Sequence, residues 1–182
     1  MIRPIYLLGQ GVLRKVAQEA DLTQKDALKT LIQDLWDTLA KADGCGLAAP
    51  QVGESLRVLI VDGDVVSETY DYLKGFKRTM INPVVKESSE ETCIYSEGCL
   101  SVPGVYSDVR RPSSLTVEYY NENFEPVTET FDKFAARMVE HELEHLEGHV
   151  FVDNLAPIRR KMIQKKLQNI ERGKVSTAYK VK

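Results

Sequence analysis

The sequence predicts an α+β fold, with strands in the middle of the chain and helices towards both ends. Two observations lead to this prediction. Apolar residues recur at helical spacing near both ends, and short runs rich in β-branched and aromatic residues, separated by turn signals, lie between them. Because the chain has 182 residues, of which 43% are hydrophobic and 28% charged, we expect a single globular domain over residues 1–182.

An amphipathic helix over about 24–42 is expected to open the N-terminal half. Either Asp21 or Thr23 is available as its N-cap, and Gly44 is expected to end it. The segments "LRVLIVDG" and "TMINPVV" predict two buried strands, and the polar stretch 65–78 between them predicts a surface loop or hairpin. Helical spacing is shared by five apolar residues, which are Leu28, Leu31, Ile32, Leu35 and Leu39.

The C-terminal half predicts a meander followed by two helices. Residues 92–131 alternate short β-rich runs with turns, and "NENFEP" between "SLTVEYY" and "VTETF" indicates a hairpin. Asp132 is expected to cap the next helix and Gly148 to end it. A final helix is expected to begin near Pro157 and end at Gly173, and the basic segment that contains most of it covers about residues 158–174.

Composition and charge exclude several classes of protein. A net charge of −3 argues against a general nucleic-acid binder, so we expect no DNA partner. No run approaches the roughly 18 apolar residues of a membrane span, and the start does not read as a signal peptide, so the expected location is the cytoplasm. The cysteines Cys45, Cys93 and Cys99 include no CxxC pair, and we expect no disulfide framework.

The stretch "HELEH" predicts part of a metal site. His141 and His145 are four residues apart, about 400° of rotation on a helix, so both imidazoles leave the same face. Glu142 lies between them, where it can reach a water molecule at a metal. Phe134 and Met138 share the histidine face, and buried histidines would cost several kcal/mol unless a metal compensated them. A solvated helix face is the alternative.

A catalytic metal generally needs a third protein ligand. His149 continues the four-residue spacing but follows Gly148, where the helix should end, so we expect it to lie outside the site. Glu171 would be the third ligand of an HExxH endopeptidase. Cys99, in "SEGCLSVPG", would complete a two-histidine, one-cysteine set that suits zinc or iron.

Three segments together resemble the signature motifs of peptide deformylases: "GCGLAAPQ" at 44–51, "EGCLS" at 97–101 and "HELEHLEG" at 141–148. The resemblance implies a single catalytic α+β domain whose small mixed or antiparallel sheets pack around the metal-binding HExxH helix. It also implies a hydrolase that removes the formyl group from the N-terminal formylmethionine of new polypeptides and releases formate.

The resemblance assigns roles residue by residue. Glu142 is implied as the general acid and base, Gln51 as a side-chain amide donor and Leu100 as a backbone N–H donor to the oxyanion. One divalent metal ion per chain is implied, with Fe²⁺ expected and Zn²⁺, Ni²⁺ or Co²⁺ able to substitute. The implied metal ligands are Cys99, His141 and His145.

Substrate binding is expected to involve four further residues. Gly46 would allow close approach of an extended peptide. Tyr95, Phe134 and Met138 are candidates to line an apolar pocket for methionine, with core packing as the alternative. Around the metal site, Arg111 is expected to pair with Glu97. Glu144 stands where the family usually has aspartate, which leaves an outer contact open.

Formylmethionyl nascent peptides are the expected partner, and no membrane partner is expected. The basic C-terminal helix suggests contact with the ribosome, although a solvated helix face explains it equally well. Two other functions stay open on the residues alone. One is the HExxH endopeptidase with Glu171 as ligand, and the other is a non-catalytic protein in which a metal only joins the helix to the sheet.

Overall fold

Seven strands form two antiparallel sheets in the computed structural model, which describes residues 1–182. In chain order the strands are β1 (Gly46–Ala48), β2 (Val58–Asp62), β3 (Lys77–Ser88), β4 (Thr92–Cys99), β5 (Val102–Pro112), β6 (Ser114–Tyr120) and β7 (Pro126–Asp132). The larger sheet has the strand order β1-β2-β3-β6-β7, and β4 pairs with β5 in the smaller one.

Four α-helices accompany the sheets, and together they confirm the predicted α+β fold. They are α1 (Lys25–Ala42), α2 (Lys133–Leu146), α3 (Pro157–Met162) and α4 (Gln164–Glu171). None of them combines the length and the apolar character that crossing a membrane requires.

Strand β2 lies between two hydrophobic layers because both of its faces are covered by helices. Leu59 and Val61 belong to the cluster that packs against α2, whereas Val58 and Ile60 belong to the cluster that packs against α1. Alternate side chains of a strand point to opposite faces, so an apolar run such as "VLIV" suits a strand buried on both sides.

Helix α2 is buried on nearly every side, which is unusual for a helix that carries so many polar residues. Eleven of its 14 residues are buried. Ala136 and Val139 pack into the cluster with Leu59, while His141 faces the β4–β5 hairpin through Glu97. Polar groups in the middle of this helix therefore need partners within the protein.

The bounds predicted for α1, about 24–42, are confirmed, but the residues predicted to cap and end it were wrong. Gln24 occupies the N-cap position without a side-chain cap, because the Asp21 carboxylate already accepts hydrogen bonds from the Thr23 amide and hydroxyl, at 2.9 and 2.7 Å. At the other end Asp43, rather than Gly44, adopts the left-handed conformation, with φ of 59°.

The single helix expected over 157–173 was also wrong, since Ile163 separates α3 from α4. Leu167 and Ile170 of α4 are buried, but α3 buries none of its residues. Apolar residues recur at helical spacing through both helices. Only α4 packs against the rest of the protein, so the two helices do not share one buried face.

The ends of α2 match the expected positions. Asp132 occupies the N-cap position, although its side chain makes no capping hydrogen bond. Gly148 follows the helix in the left-handed conformation, with φ of 78°. A Cβ atom at Gly148 would lie 2.7 Å from the carbonyl oxygen of Arg14, so this glycine also allows the N-terminal segment to lie against the end of α2.

Replacing Gly148 with alanine is expected to lower the free energy of unfolding by about 3 kcal/mol, because left-handed strain and a clash with backbone add together. Gly173→Ala is the matched control. Gly173 has φ of 70° and nothing within 4 Å of an added Cβ, so only the strain, about 1 kcal/mol, should appear. Urea unfolding of both variants measures the difference, and equal losses would contradict the close packing at Gly148.

Candidate metal centre

Cys99, His141 and His145 converge, with one ligand atom from each lying within 4.8 Å of the others. Cys99 is the last residue of β4, and both histidines leave one face of α2. The Cys99 Sγ atom is 3.4 Å from His145 Nε2. The packing of the β4–β5 hairpin on α2 therefore assembles a thiol and two imidazoles, the donor set that zinc and iron accept.

The two other candidates for a third ligand lie elsewhere. His149 is outside the group, as expected; its side chain is 63% exposed and its Nδ1 is 3.8 Å from Asp153 Oδ2. Glu171 is exposed at the end of α4, where its backbone lies against Gly9, and it does not belong to the group of potential ligands. The alternative site with Glu171 as ligand was therefore wrong.

The buried Glu97 carboxylate fixes the orientation of His141. Its Oε1 accepts a hydrogen bond from His141 Nδ1 at 2.8 Å, and its Oε2 accepts from Arg111 Nε at 2.7 Å, which confirms the expected pair. Because Nδ1 is occupied, Nε2 of His141 is the nitrogen left for a metal. Burial alone would raise the pKa of Glu97, but His141 and Arg111 outweigh burial and hold that pKa well below its ordinary value.

Glu144, which stands where the family usually has the shorter aspartate, contacts Arg111 and Asn154 outside the ligand group. It pairs with Arg111 at 2.5 Å and accepts hydrogen bonds from Asn154 Nδ2 at 3.0 Å. Arg111, only 6% exposed, is thus held between two carboxylates. Neither of these Glu144 contacts involves His141 or His145.

Arg137 belongs to the hydrogen-bond network around the candidate site, and its place there was not predicted from the sequence. It is 2% exposed, and its guanidinium donates to Glu97 Oε2 at 2.6 Å, to the Val109 carbonyl at 2.6 Å and to the Cys93 carbonyl at 2.8 Å. It stands four residues before His141, on the same helical face, and that spacing was the available signal.

Gln51 lies beside the thiol with its amide orientation fixed. Its Oε1 accepts from the Ala48 amide at 2.9 Å, so its Nε2 faces the metal centre, where it donates to Ser101 Oγ at 3.1 Å and contacts Cys99 Sγ at 3.5 Å. Gln51 belongs to a short 3₁₀ helix, Ala49–Val52, that directly follows β1. Neither element was expected, because "GLAAPQ" has no helical or strand period.

Glu142 lies against Gly46. A Cβ atom at Gly46 would be 2.5 Å from Glu142 Oε1, so the glycine makes room for this carboxylate, and it also lines the cavity where a peptide is expected to bind. Glu142 is 4% exposed and its Oε2 has no hydrogen-bond partner. Burial raises the pKa of Glu142 to about 7. A carboxyl with this pKa can both accept and release a proton near neutral pH.

A cavity of about 610 Å³ opens onto these groups. Phe134 and Met138 line it, but Tyr95 does not. The Tyr95 ring instead packs edge-on against Phe134, at 5.3 Å between centroids, and below the Arg137 guanidinium. Two further parts of the chain that were not expected there also contribute to the lining: Val65–Val66 and Ser176–Tyr179.

Comparison with known proteins gives a consistent result. A family model described as polypeptide deformylase matches residues 2–161. The peptide deformylase of Flavobacterium psychrophilum is 42% identical over 189 residues, covering 100% of this chain and 97% of that protein. The one from Cytophaga hutchinsonii is 39% identical over 182 residues, covering 100% and 97%.

Solved structures resemble the chain over nearly its whole length. A peptide deformylase from Legionella pneumophila superimposes with a TM-score of 0.83 at 36% identity, covering 96% of this chain and 98% of that one. The peptide deformylase from Thermus thermophilus gives a TM-score of 0.83 at 30% identity, covering 95% and 99%.

Replacing Glu142 with glutamine is expected to stabilise the metal-free protein more at pH 8 than at pH 5. The carboxyl ionises near pH 4.5 in the unfolded chain, but its pKa is about 7 in the folded protein. The folded state therefore binds this proton more tightly than the unfolded state does. The contribution of the protonated carboxyl to the free energy of unfolding is lost as the pH rises from 4.5 through 7. Glutamine carries no such proton.

The difference in free energy of unfolding between variant and wild type should thus grow from pH 5 to pH 7 and level off above it. Urea unfolding of chelator-treated protein at several pH values measures this difference. Glu90→Gln, at an exposed glutamate, is the control and should show a constant difference. A constant difference for Glu142→Gln as well would contradict the raised pKa.

Proposed function

The chain belongs to the polypeptide deformylase family, and on that premise we propose that Cys99, His141 and His145 hold one divalent metal ion beside Glu142 as general acid and base. Members of this family are metal-dependent hydrolases that remove the N-terminal formyl group from nascent chains, and the chain is a hydrolase of this kind. The convergence of the three ligand atoms next to a buried, unpartnered carboxylate oxygen is the observation that carries the proposal.

Fe²⁺ is the proposed native metal, with Zn²⁺, Ni²⁺ and Co²⁺ able to replace it. The residues fit such an ion, since they offer one thiolate and two imidazoles, and Glu97 holds His141 with Nε2 free. When bound, a divalent cation here supplies Lewis acidity to a water molecule and to the formyl oxygen. The thiolate makes this cation a weaker Lewis acid than three histidines would.

Glu142 moves the proton. Its carboxylate takes a proton from the attacking water, and the resulting carboxylic acid gives the proton to the amine that leaves as the formyl C–N bond breaks. Burial of the Glu142 carboxyl favours its protonated form, and so favours uptake of the proton from water. Its place against Gly46 keeps the carboxylate inside the cavity.

Gln51 and Leu100 stabilise the oxyanion that develops on the formyl oxygen. The Ala48 amide holds Gln51 so that its Nε2–H groups face the metal centre. Its 3.5 Å contact with Cys99 Sγ is the weaker of its two interactions there, and is the one that can be exchanged for the oxyanion. The Leu100 backbone N–H, directly after Cys99, is the second donor.

The methionine side chain is proposed to lie against Phe134 and Met138, both of which line the cavity. Tyr95 contributes indirectly, through its packing against Phe134. We propose residues 1–182 as one catalytic domain, because segments from β1 to Ser176–Tyr179 line the same cavity. Its proposed substrates are formylmethionyl nascent peptides, and the proposed location is the cytoplasm, where such chains are made.

Anaerobic assay of formate release from formylmethionyl peptides, with metal analysis of the same sample, tests this proposal. Cys99→Ser is expected to lose metal and at least about a hundredfold in activity, since a ligand is removed. Glu142→Ala should keep the metal and lose activity to a similar extent. Glu171→Ala is the control and should change neither quantity. Absence of formate from the iron-replete wild type would refute the assignment.

Contact with the ribosome is proposed for the helices α3 and α4. Four of their basic residues are exposed, and Ile158 and Met162 of α3 are 74% and 72% exposed beside them. The basic side chains can contact RNA phosphates of the ribosome, and the apolar pair beside them can contact ribosomal protein. The four are Arg160, Lys161, Lys165 and Lys166.

Changing Lys165 and Lys166 to glutamate is expected to reduce ribosome co-sedimentation at least about tenfold, because each lysine lost removes a phosphate contact. Lys25→Glu with Lys29→Glu on α1 makes the same change in net charge on exposed residues of another helix and should leave co-sedimentation unchanged. If both double variants bind as the wild type does, α3 and α4 are solvated helix faces.

A further inference from the structure

The last residues of the chain fold back along its first ones. Ile5 and Val181 form a parallel bridge, in which Ile5 N–H donates to the Lys180 carbonyl and Lys182 N–H donates to the Ile5 carbonyl, each at 2.9 Å. Leu7 N–H donates to the Lys182 carbonyl at 2.9 Å as well. We call residues 174–182 the C-terminal tail. Three backbone hydrogen bonds thus fix the tail in one place.

This tail forms part of the active-site wall, since Ser176–Tyr179 line the same cavity as Cys99 and Glu142. The family model matches residues 2–161, so the tail lies outside the region of that match. Within the tail the Tyr179 hydroxyl donates a hydrogen bond of 2.7 Å to the carbonyl oxygen of Leu100.

Leu100 is held from its other sides too. Its Cδ1 atom would be 2.8 Å from a Cβ atom at Gly44, so the side chain packs tightly against the start of "GCGLAAPQ". The next residue, Ser101, accepts a hydrogen bond from Gln51 through its hydroxyl and from the Leu8 amide through its carbonyl. Tyr179 is the one side chain that donates to the Leu100 backbone.

We propose that Tyr179 is a positioning residue. By holding the Leu100 carbonyl it restricts rotation of the Leu100 backbone, and so keeps the N–H of the adjoining Cys99–Leu100 peptide directed at the developing oxyanion. The inference rests on the proposed role of the Leu100 amide. Tyr179 does not touch the reacting atoms in this account; it acts through Leu100. An N–H group that is already in position need not move during the reaction. If the Leu100 backbone became mobile, we therefore expect kcat to fall while substrate binding stays unchanged.

The Tyr179 hydroxyl is protonated at neutral pH, as a hydrogen-bond donor must be. The side chain is half-buried, and burial raises its pKa to about 12. The group therefore stays protonated, and stays a donor, across the range in which Glu142 can exchange its proton.

Tyr179→Phe tests the proposal because it removes the hydroxyl and keeps the ring. We expect kcat for formyl-peptide hydrolysis to fall about five- to tenfold, with KM within about twofold and metal content unchanged. Hydrogen–deuterium exchange should be faster in the peptide that contains Leu100. Tyr6→Phe is the matched control, because the Tyr6 ring lies under Lys182 of the same tail but its hydroxyl makes no hydrogen bond, and both measurements should match the wild type.

A kcat and a Leu100 exchange rate equal to those of the wild type in Tyr179→Phe would overturn the inference. A rise in KM with kcat unchanged would overturn it as well, because the tail would then only shape the cleft. Glu142→Gln measured alongside separates this outcome from failure of the proposed function. If Glu142→Gln is inactive while Tyr179→Phe is fully active, only the role of Tyr179 is lost; if Glu142→Gln is active, the proposed function itself fails.

Discussion

The buried Glu97 carboxylate is the constraint on which the site depends. It accepts hydrogen bonds from His141, Arg111 and Arg137, and so joins the β4–β5 hairpin to α2. Two guanidinium groups in the interior are tolerable only while their counter-charge is present, and loss of one partner leaves an uncompensated buried charge. The position of α2 against the hairpin, and with it the direction of the His141 ring, follows from satisfying this one group.

Burial of α2 on nearly every side explains why its polar residues are arranged so tightly. His141, Glu142 and Arg137 have few alternative conformations, because each lies in contact with another element. Such order suits a hydrolytic site, because its donors and acceptors must be held in place before charge develops. Gly46 shows the same principle on the facing strand, where even a methyl group would displace the carboxylate.

The sequence predicted part of this site from spacing along one helix, and the ligand set and the roles of the other residues from the resemblance of three motifs. The spacing of His141 and His145, the end of α2 at Gly148 and the pairing of Arg111 with Glu97 all agree with the structure. Long-range features could not be predicted in this way. The break at Ile163 depends on what each half of a helix can pack against, and the contribution of Ser176–Tyr179 depends on pairing between distant segments. Neither leaves a periodic signal.

The composition of the cavity wall has a consequence for folding kinetics. Its lining comes from segments as distant in the chain as Gly46, Val66, Met138 and Tyr179. Contacts between distant segments form only after the entropy of closing long loops has been overcome, so they belong to the late steps of folding. When the helices and hairpins have formed but these segments have not yet packed together, the cavity is still absent. We therefore expect the cavity to be complete only when the whole fold is complete.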